Sequence, residues 1–92
     1  MVTKITMFSD KNCINCALME KVMKEYCAKN NPVISFKVTD GETVQEDLRP
    51  YSYPTFRLYD DQTHSVLRVS CGGLETIKRH ITEFENYLRD HF

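Results

Sequence analysis

The order of extended and helical segments restricts the fold of this chain more than any other feature. Residues 4–8, "KITMF", are mostly apolar, which predicts a central strand covered on both faces. Apolar residues at three- and four-residue spacing predict a helix over residues 15–29, and "NNP" separates it from a second strand at residues 33–38. A strand, helix and strand in this order form a right-handed crossover between parallel strands.

The second half of the chain predicts a short helix, a hairpin and a last helix. Residues 43–48 follow a turn and precede Pro50, which would end a short helix there. Residues 55–60 and 64–70 have the composition of strands and are joined by "DDQT". After a pair of glycines, one apolar stripe predicts the final helix: Leu74, Ile77, Ile81, Phe84 and Leu88.

These segments predict an α/β fold with a four-stranded mixed sheet flanked by three helices, in the order βαβ-α-ββα. The hairpin would direct four apolar side chains inward: Phe56, Leu58, Leu67 and Val69. No repeat or linker interrupts the 92 residues. Residues 1–92 are therefore expected to form a single domain, near the lower size limit for a core that is stable without help.

Composition narrows the classes of partner and compartment. The chain is 41% hydrophobic and 27% charged with a formal net charge of −1, so neither nucleic acid nor a membrane is expected as a partner. The first residues, "MVTKITMFSD", become charged too early for a signal peptide, and no apolar run approaches membrane-spanning length. We expect a cytoplasmic monomer, in which cysteine pairs are more often catalytic or metal-binding than structural.

Cys13 and Cys16 form a CxxC motif between a predicted strand and a predicted helix. A sulfur at the start of a helix lies among unpaired backbone N–H groups, which favour the thiolate and lower the thiol pKa below about 8.5. Cys16 would lie one turn further on, close enough for a disulfide with Cys13. The pair can therefore exchange electrons with another disulfide, with Lys11 adding a nearby positive charge.

A structural metal site is the alternative function of a CxxC motif. Zinc usually takes four ligands from two such pairs, or from one pair and two closely spaced histidines. The remaining candidates have no such spacing: Cys27, Cys71, His64, His80 and His91. A redox pair without a bound metal or cofactor is the interpretation that we prefer.

Pro54, in "YSYPTF", is the second informative feature. It directly precedes a predicted strand, where the chain must turn tightly, and cis X–Pro bonds are found in such turns. A trans proline that opens an edge strand is the alternative.

Together these features resemble the thioredoxin superfamily over nearly the whole chain. "ITMFSDKNCINCALMEKVM" is most similar to small glutaredoxins and to the glutaredoxin-like redoxins that reduce ribonucleotide reductase, whereas "YPTF" is closer to thioredoxins. The resemblance implies the thioredoxin fold. It also implies that Cys13 is the nucleophile, that Cys16 is the resolving thiol, and that Pro54 is a cis-proline facing Cys13, next to a backbone at Tyr53 that pairs with substrate.

The same resemblance implies part of a glutathione site. Gly72, Gly73 and Glu75 match it, and Lys11 could bind a glycine carboxylate, but Asn15 and Thr76 depart from the family pattern. Met7 also stands where thioredoxins carry a buried aspartate, and Asn12 where they carry a tryptophan, so the usual proton acceptor for the resolving thiol is missing.

The sequence therefore predicts a dithiol–disulfide oxidoreductase that reduces protein disulfides, and the resemblance implies ribonucleotide reductase as one candidate substrate. Its reductant would be a thioredoxin reductase, with glutathione as the alternative co-substrate of a working glutaredoxin. A hypothesis of another class is a binding module on the same scaffold, with a CxxC that is idle or holds metal.

Two further cysteines and three histidines have no role in the predicted redox pair. Cys27 is expected in the core, because a buried cysteine behaves as a small hydrophobic residue. Cys71 is in phase with Val69, which favours a core position, yet it precedes the glycine pair near Cys13, so a third redox role stays open. The three histidines are expected to be solvated.

Overall fold

The structure is a computed structural model that describes residues 1–30, 34–70 and 73–92. It contains four strands and two α-helices within these ranges: β1 (Lys4–Ser9), α1 (Ile14–Asn30), β2 (Ser35–Asp40), β3 (Thr55–Asp60), β4 (Ser65–Ser70) and α2 (Leu74–His91). The four predicted strands and the two long helices therefore form close to their expected positions. β2 was expected from residue 33, and Val33 lies outside the described residues.

The strands form one mixed sheet in the order β2-β1-β3-β4. β1 is parallel to β2 and antiparallel to β3, and β3 pairs with β4 as an antiparallel hairpin. Met7 of β1 lies between Val38 of β2 and Phe56 of β3, so β1 is a central strand as predicted. The α/β class with a four-stranded mixed sheet is confirmed.

The core lies between one face of the sheet and both α-helices. The sheet contributes Ile5, Met7, Phe56, Leu58 and Val69, while the helices contribute Cys16, Met19, Met23, Cys27, Ile77, Ile81, Phe84 and Leu88. Apolar side chains from α1 and α2 thus share a single cluster on the same side of the sheet. Burial also raises the pKa of the Cys27 thiol, which agrees with the predicted core position.

The prediction of a third helix was wrong. Residues 43–48 were expected to be helical, but the described chain forms two short 3₁₀ turns, Gly41–Thr43 and Glu46–Leu48, with extended backbone at Val44. The Asp40 carboxylate accepts a hydrogen bond from the Glu42 amide at 2.9 Å, which stabilises the first turn locally. Six residues before a proline make too few helical hydrogen bonds to offset the cost of nucleation.

A consequence is that the sheet is covered by α-helices on one face only, within the described residues. The opposite face of the sheet is partly covered at one end, where Phe8 and Thr55 are buried and the Arg68 guanidinium donates to the Leu48 carbonyl at 3.0 Å. Among the described residues, neither α1 nor α2 contains an apolar stretch that could span a lipid bilayer.

Asp60 is a buried carboxylate at the end of β3, only 1% exposed. It accepts hydrogen bonds from the Thr63 hydroxyl at 2.7 Å and from the Thr63 and Gln62 amides at 3.3 Å, and it thereby closes the hairpin turn. The Thr63 hydroxyl is the largest cause that lowers the pKa of Asp60. A carboxyl whose pKa is lower in the folded than in the unfolded chain stabilises the fold above the unfolded value, and this contribution is lost as the pH falls through the folded pKa.

Asp60→Asn should therefore reduce the free energy of unfolding at pH 7 by about 1 to 2 kcal/mol, because a neutral amide accepts these hydrogen bonds less well. The loss of stability on acidification below about pH 4 should also be shallower in the variant. Urea unfolding between pH 2 and pH 7 measures both effects. The neighbouring exposed Asp61, changed to Asn, is the control, and equal effects of the two changes would contradict this role for Asp60.

Candidate functional site

Cys13 and Cys16 form a disulfide at the start of α1. Cys13 is the residue before the helix, Cys16 lies in its first turn, and their Cα atoms are 5.3 Å apart. The Cys13 amide donates to the Asp10 carbonyl at 3.0 Å, so a tight turn joins β1 to the helix. The expected position of the CxxC motif between a strand and a helix is confirmed.

The backbone around Cys13 favours a negative charge on its sulfur. The Cys16 amide lies 3.1 Å from the Cys13 sulfur, in position to donate to it. The first turn of α1 carries no acidic residue, so no side chain there cancels the positive end of the helix dipole. Both effects would stabilise a Cys13 thiolate in the reduced protein.

The two cysteines differ in exposure. Cys16 is 5% exposed and belongs to the core, whereas Cys13 is half-buried at the surface. Ile14, between them, is 90% exposed, and Leu18 on the next turn is 61% exposed. A partner molecule would therefore reach Cys13 before Cys16 and would meet apolar side chains beside it.

The peptide bond between Tyr53 and Pro54 is cis, as predicted. Pro54 is buried beside a groove of about 420 Å³. The lining residues come from α1, from the segment before β3 and from the start of α2: Asn15, Leu18, Met19, Ser52, Tyr53, Pro54 and Gly73. None of these described residues is charged, so the groove presents hydroxyl, amide and apolar groups.

A second cavity of about 340 Å³ lies against the disulfide and is charged. Besides both cysteines and Met7, Ser9 and Ala17, it is lined by Asp10, Lys11, Glu20 and Asp40. Met7 is 1% exposed, so an apolar side chain fills the core position at which the resemblance led us to look for a buried aspartate. The described carboxylates that share a cavity with the disulfide, those of Asp10, Glu20 and Asp40, therefore lie on the wall of an open cavity.

The expected site residues separate into three groups. Tyr53, Pro54 and Gly73 line the uncharged groove, and Lys11 lines the charged cavity with the cysteines. Glu75 lines neither cavity, because its side chain is 87% exposed and pairs with Lys78 at 3.4 Å. Gly72 lies outside the described residues.

Cys71 also lies outside the described residues, so its two expected roles are not distinguished. None of the three histidines lines the charged cavity or the uncharged groove. His64 and His91 are exposed, and His80 is half-buried with its ring 3.9 Å from Glu83. Among the residues that the structure describes, no group of three or more His, Cys, Asp or Glu side chains could hold a metal ion.

Gly41 is a site residue that the sequence analysis missed. It is buried at the end of β2, and a Cβ atom there would meet the Tyr53 ring at its hydroxyl and lie 2.6 Å from its Cζ atom. Glycine thus allows the Tyr53 ring to pack against the backbone, next to the cis-proline. The sequence signal was a glycine directly after a strand, which we interpreted only as part of a turn.

Gly41→Ala should lower the free energy of unfolding by about 1 to 3 kcal/mol, because the added methyl overlaps the Tyr53 ring. Combining it with Tyr53→Ala should cost less than the sum of the two single changes, because the overlap is then absent. Denaturant unfolding of the two single variants and the double variant tests this coupling. Additive effects would show that Gly41 does not support Tyr53.

The comparisons with known proteins provide no family for this chain. No protein-family model matches it, and a search of curated proteins finds no significant similarity. The chemistry of the site has to be derived from its own residues.

Proposed function

We propose that this protein is a dithiol–disulfide oxidoreductase that reduces disulfides in other proteins through Cys13 and Cys16. The observation that carries the proposal is the disulfide between these residues at the start of α1, with the Cys16 amide 3.1 Å from the Cys13 sulfur. A structural disulfide would need neither an accessible sulfur nor a neighbouring N–H group. Both are what an attacking thiolate requires.

The proposed reaction begins with the reduced pair. The Cys13 thiolate attacks one sulfur of the substrate disulfide, forming a mixed disulfide and releasing the other substrate sulfur as a thiolate. Cys16 then loses its proton, to water or to a carboxylate of the charged cavity, and attacks the Cys13 sulfur. The substrate leaves with both sulfurs reduced, and the two electrons have passed from the pair to the substrate.

The exposure of the two cysteines supports this division of roles. Cys13 is at the surface, where a large substrate can reach it, whereas Cys16 is buried and needs only to reach Cys13. The exposed Ile14 and Leu18 beside the disulfide would pack against apolar residues that flank the cysteine of a substrate protein.

We further propose that the fold is a variant of the thioredoxin fold. The order βαβββα, the sheet order β2-β1-β3-β4 and the cis-proline before β3 support this proposal. The variant would lack the helix between the second and third strands, where this chain has 3₁₀ turns.

The lack of charged residues in the described lining of the groove favours a thioredoxin reductase over glutathione as the electron donor. Glutathione carries two carboxylates and an ammonium, yet the described groove residues are uncharged. Arg49 is a second cation, besides Lys11, that could bind the glycine carboxylate of glutathione, but its guanidinium donates to the Val44 and Glu42 carbonyls at 2.9 and 3.0 Å. Glu75, the candidate partner for the ammonium, pairs with Lys78. Each missing charged hydrogen bond costs about 1.5 to 3 kcal/mol of binding, so weak use of glutathione is expected.

Cys16→Ser should trap a mixed disulfide between Cys13 and a substrate protein, because no resolving thiol remains. Cys13→Ser should form no such adduct and should lose activity. Non-reducing electrophoresis and turnover of a disulfide-containing protein measure these outcomes. Cys27→Ala is the control, since this buried free thiol should affect stability but not turnover. Full activity of Cys13→Ser would contradict the assignment of Cys13 as the nucleophile, and no turnover by the unmodified protein would leave only a binding module.

Thioredoxin reductase with its nicotinamide reductant should reduce the Cys13–Cys16 disulfide faster than millimolar glutathione with glutathione reductase. Parallel assays at pH 7 with the same protein substrate measure the two rates. Rapid reduction by glutathione alone would identify a working glutaredoxin. No reduction by either donor, together with no turnover, would contradict the oxidoreductase proposal.

A further inference from the structure

The sheet face opposite the α-helices carries a row of cations. The register aligns Lys37 of β2, Thr6 of β1, Arg57 of β3 and Arg68 of β4 across the sheet. Lys4 lies on the same face, two residues along β1 from Thr6. Lys4, Lys37, Arg57 and Arg68 are called the basic face below. Three of them are exposed, and Arg57 is half-buried.

No carboxylate balances these charges on the strands. The two acidic strand residues, Asp40 and Asp60, alternate in phase with the core residues Val38 and Leu58 and so belong to the other side of the sheet. Within the described ranges, no cation of the basic face forms an ion pair. The near-neutral net charge of the chain therefore conceals a local concentration of positive charge.

Two of the cations are held in place by aromatic rings. The Arg57 guanidinium lies 5.0 Å from the centre of the Tyr59 ring, and that of Arg68 lies 5.2 Å from the centre of the Phe8 ring. These contacts, and the bond from Arg68 to the Leu48 carbonyl, restrict the side chains before any partner binds. Less conformational entropy is then lost on binding.

We propose that the basic face binds a short acidic segment of a partner protein. Charge complementarity carries the proposal: a second copy of this chain would present the same cations and be repelled. A four-stranded sheet of this length is about 14 Å wide and about 20 Å long, which suits an extended segment of about six residues. The proposal is independent of the redox reaction, because the face lies across the sheet from the core that holds Cys16.

The surroundings favour an acidic peptide over single-stranded nucleic acid. Nucleic-acid platforms need open aromatic rings for stacking, but Phe8 is 6% exposed, and the Tyr59 ring carries the Arg57 guanidinium and bonds His64 at 3.1 Å. Glu46 and Asp47 line a cavity together with Arg68. These carboxylates would repel any anion at the Arg68 end of the face, so the acidic segment is expected to contact mainly Lys4, Lys37 and Arg57.

Fluorescence anisotropy can test the proposal with a labelled eight-residue peptide of alternating glutamate and glycine, and with the same peptide in which glutamine replaces glutamate. The full-length chain should bind the acidic peptide at low salt, and the glutamine peptide at least about tenfold more weakly. Binding of the acidic peptide should weaken as salt is added, because exposed charges are screened.

Lys4→Gln with Lys37→Gln should weaken the acidic peptide about five- to tenfold, since two exposed charge contacts are lost. Lys21→Gln with Lys29→Gln is the matched control, because it removes the same charge from exposed positions on α1 and should change binding less than twofold. Equal losses in both double variants, or no peptide binding by the unmodified chain, would overturn the proposal. Tighter binding of an eight-nucleotide oligothymidylate, or of phosphatidylserine vesicles, would also overturn it by assigning the face to another partner.

Discussion

The antiparallel pairing of β1 with β3 is the interaction on which the rest of the structure depends. Phe8 at the end of β1 pairs with Thr55 at the start of β3, so the carboxyl end of one strand lies beside the amino end of the other. The turn that leads to Cys13 leaves from the first of these ends, and Pro54 enters the second. Backbone hydrogen bonds of the sheet thus place the two halves of the candidate site at one edge of the molecule.

The same strand pairing separates two electrostatic environments around the disulfide. The groove beside Pro54 is lined by uncharged described residues, whereas the cavity beside the disulfide contains the carboxylates of Glu20 and Asp40. An uncharged groove suits apolar protein segments, and a charged cavity can exchange a proton with water. The proposed reaction uses both, one for the substrate and the other for the resolving thiol.

Because both α-helices lie on one face of the sheet, the side chains of the opposite face determine the charge of that surface. The segment between β2 and β3 forms 3₁₀ turns and no α-helix, so no helix within the described ranges covers the second face of the sheet. The side chains of that face therefore meet water directly over most of its area. Lys37 and Arg57 are compatible with such a face, since long cationic side chains cover apolar atoms and keep their charge in solvent. Neither the predicted order of elements nor the near-neutral composition indicated that these cations share an exposed face.

The sequence by itself determined the strands, the two long helices and the position of the CxxC motif, because strand and helix periodicity and the local chemistry of a helix start act over a few residues. It also indicated the cis bond before Pro54. Only the tertiary structure decided that Gly41 supports the Tyr53 ring, that Glu75 lines neither cavity of the candidate site, and that four cations share one open face. These contacts join residues through strand register and helix placement, and neither is encoded in any local stretch of the chain.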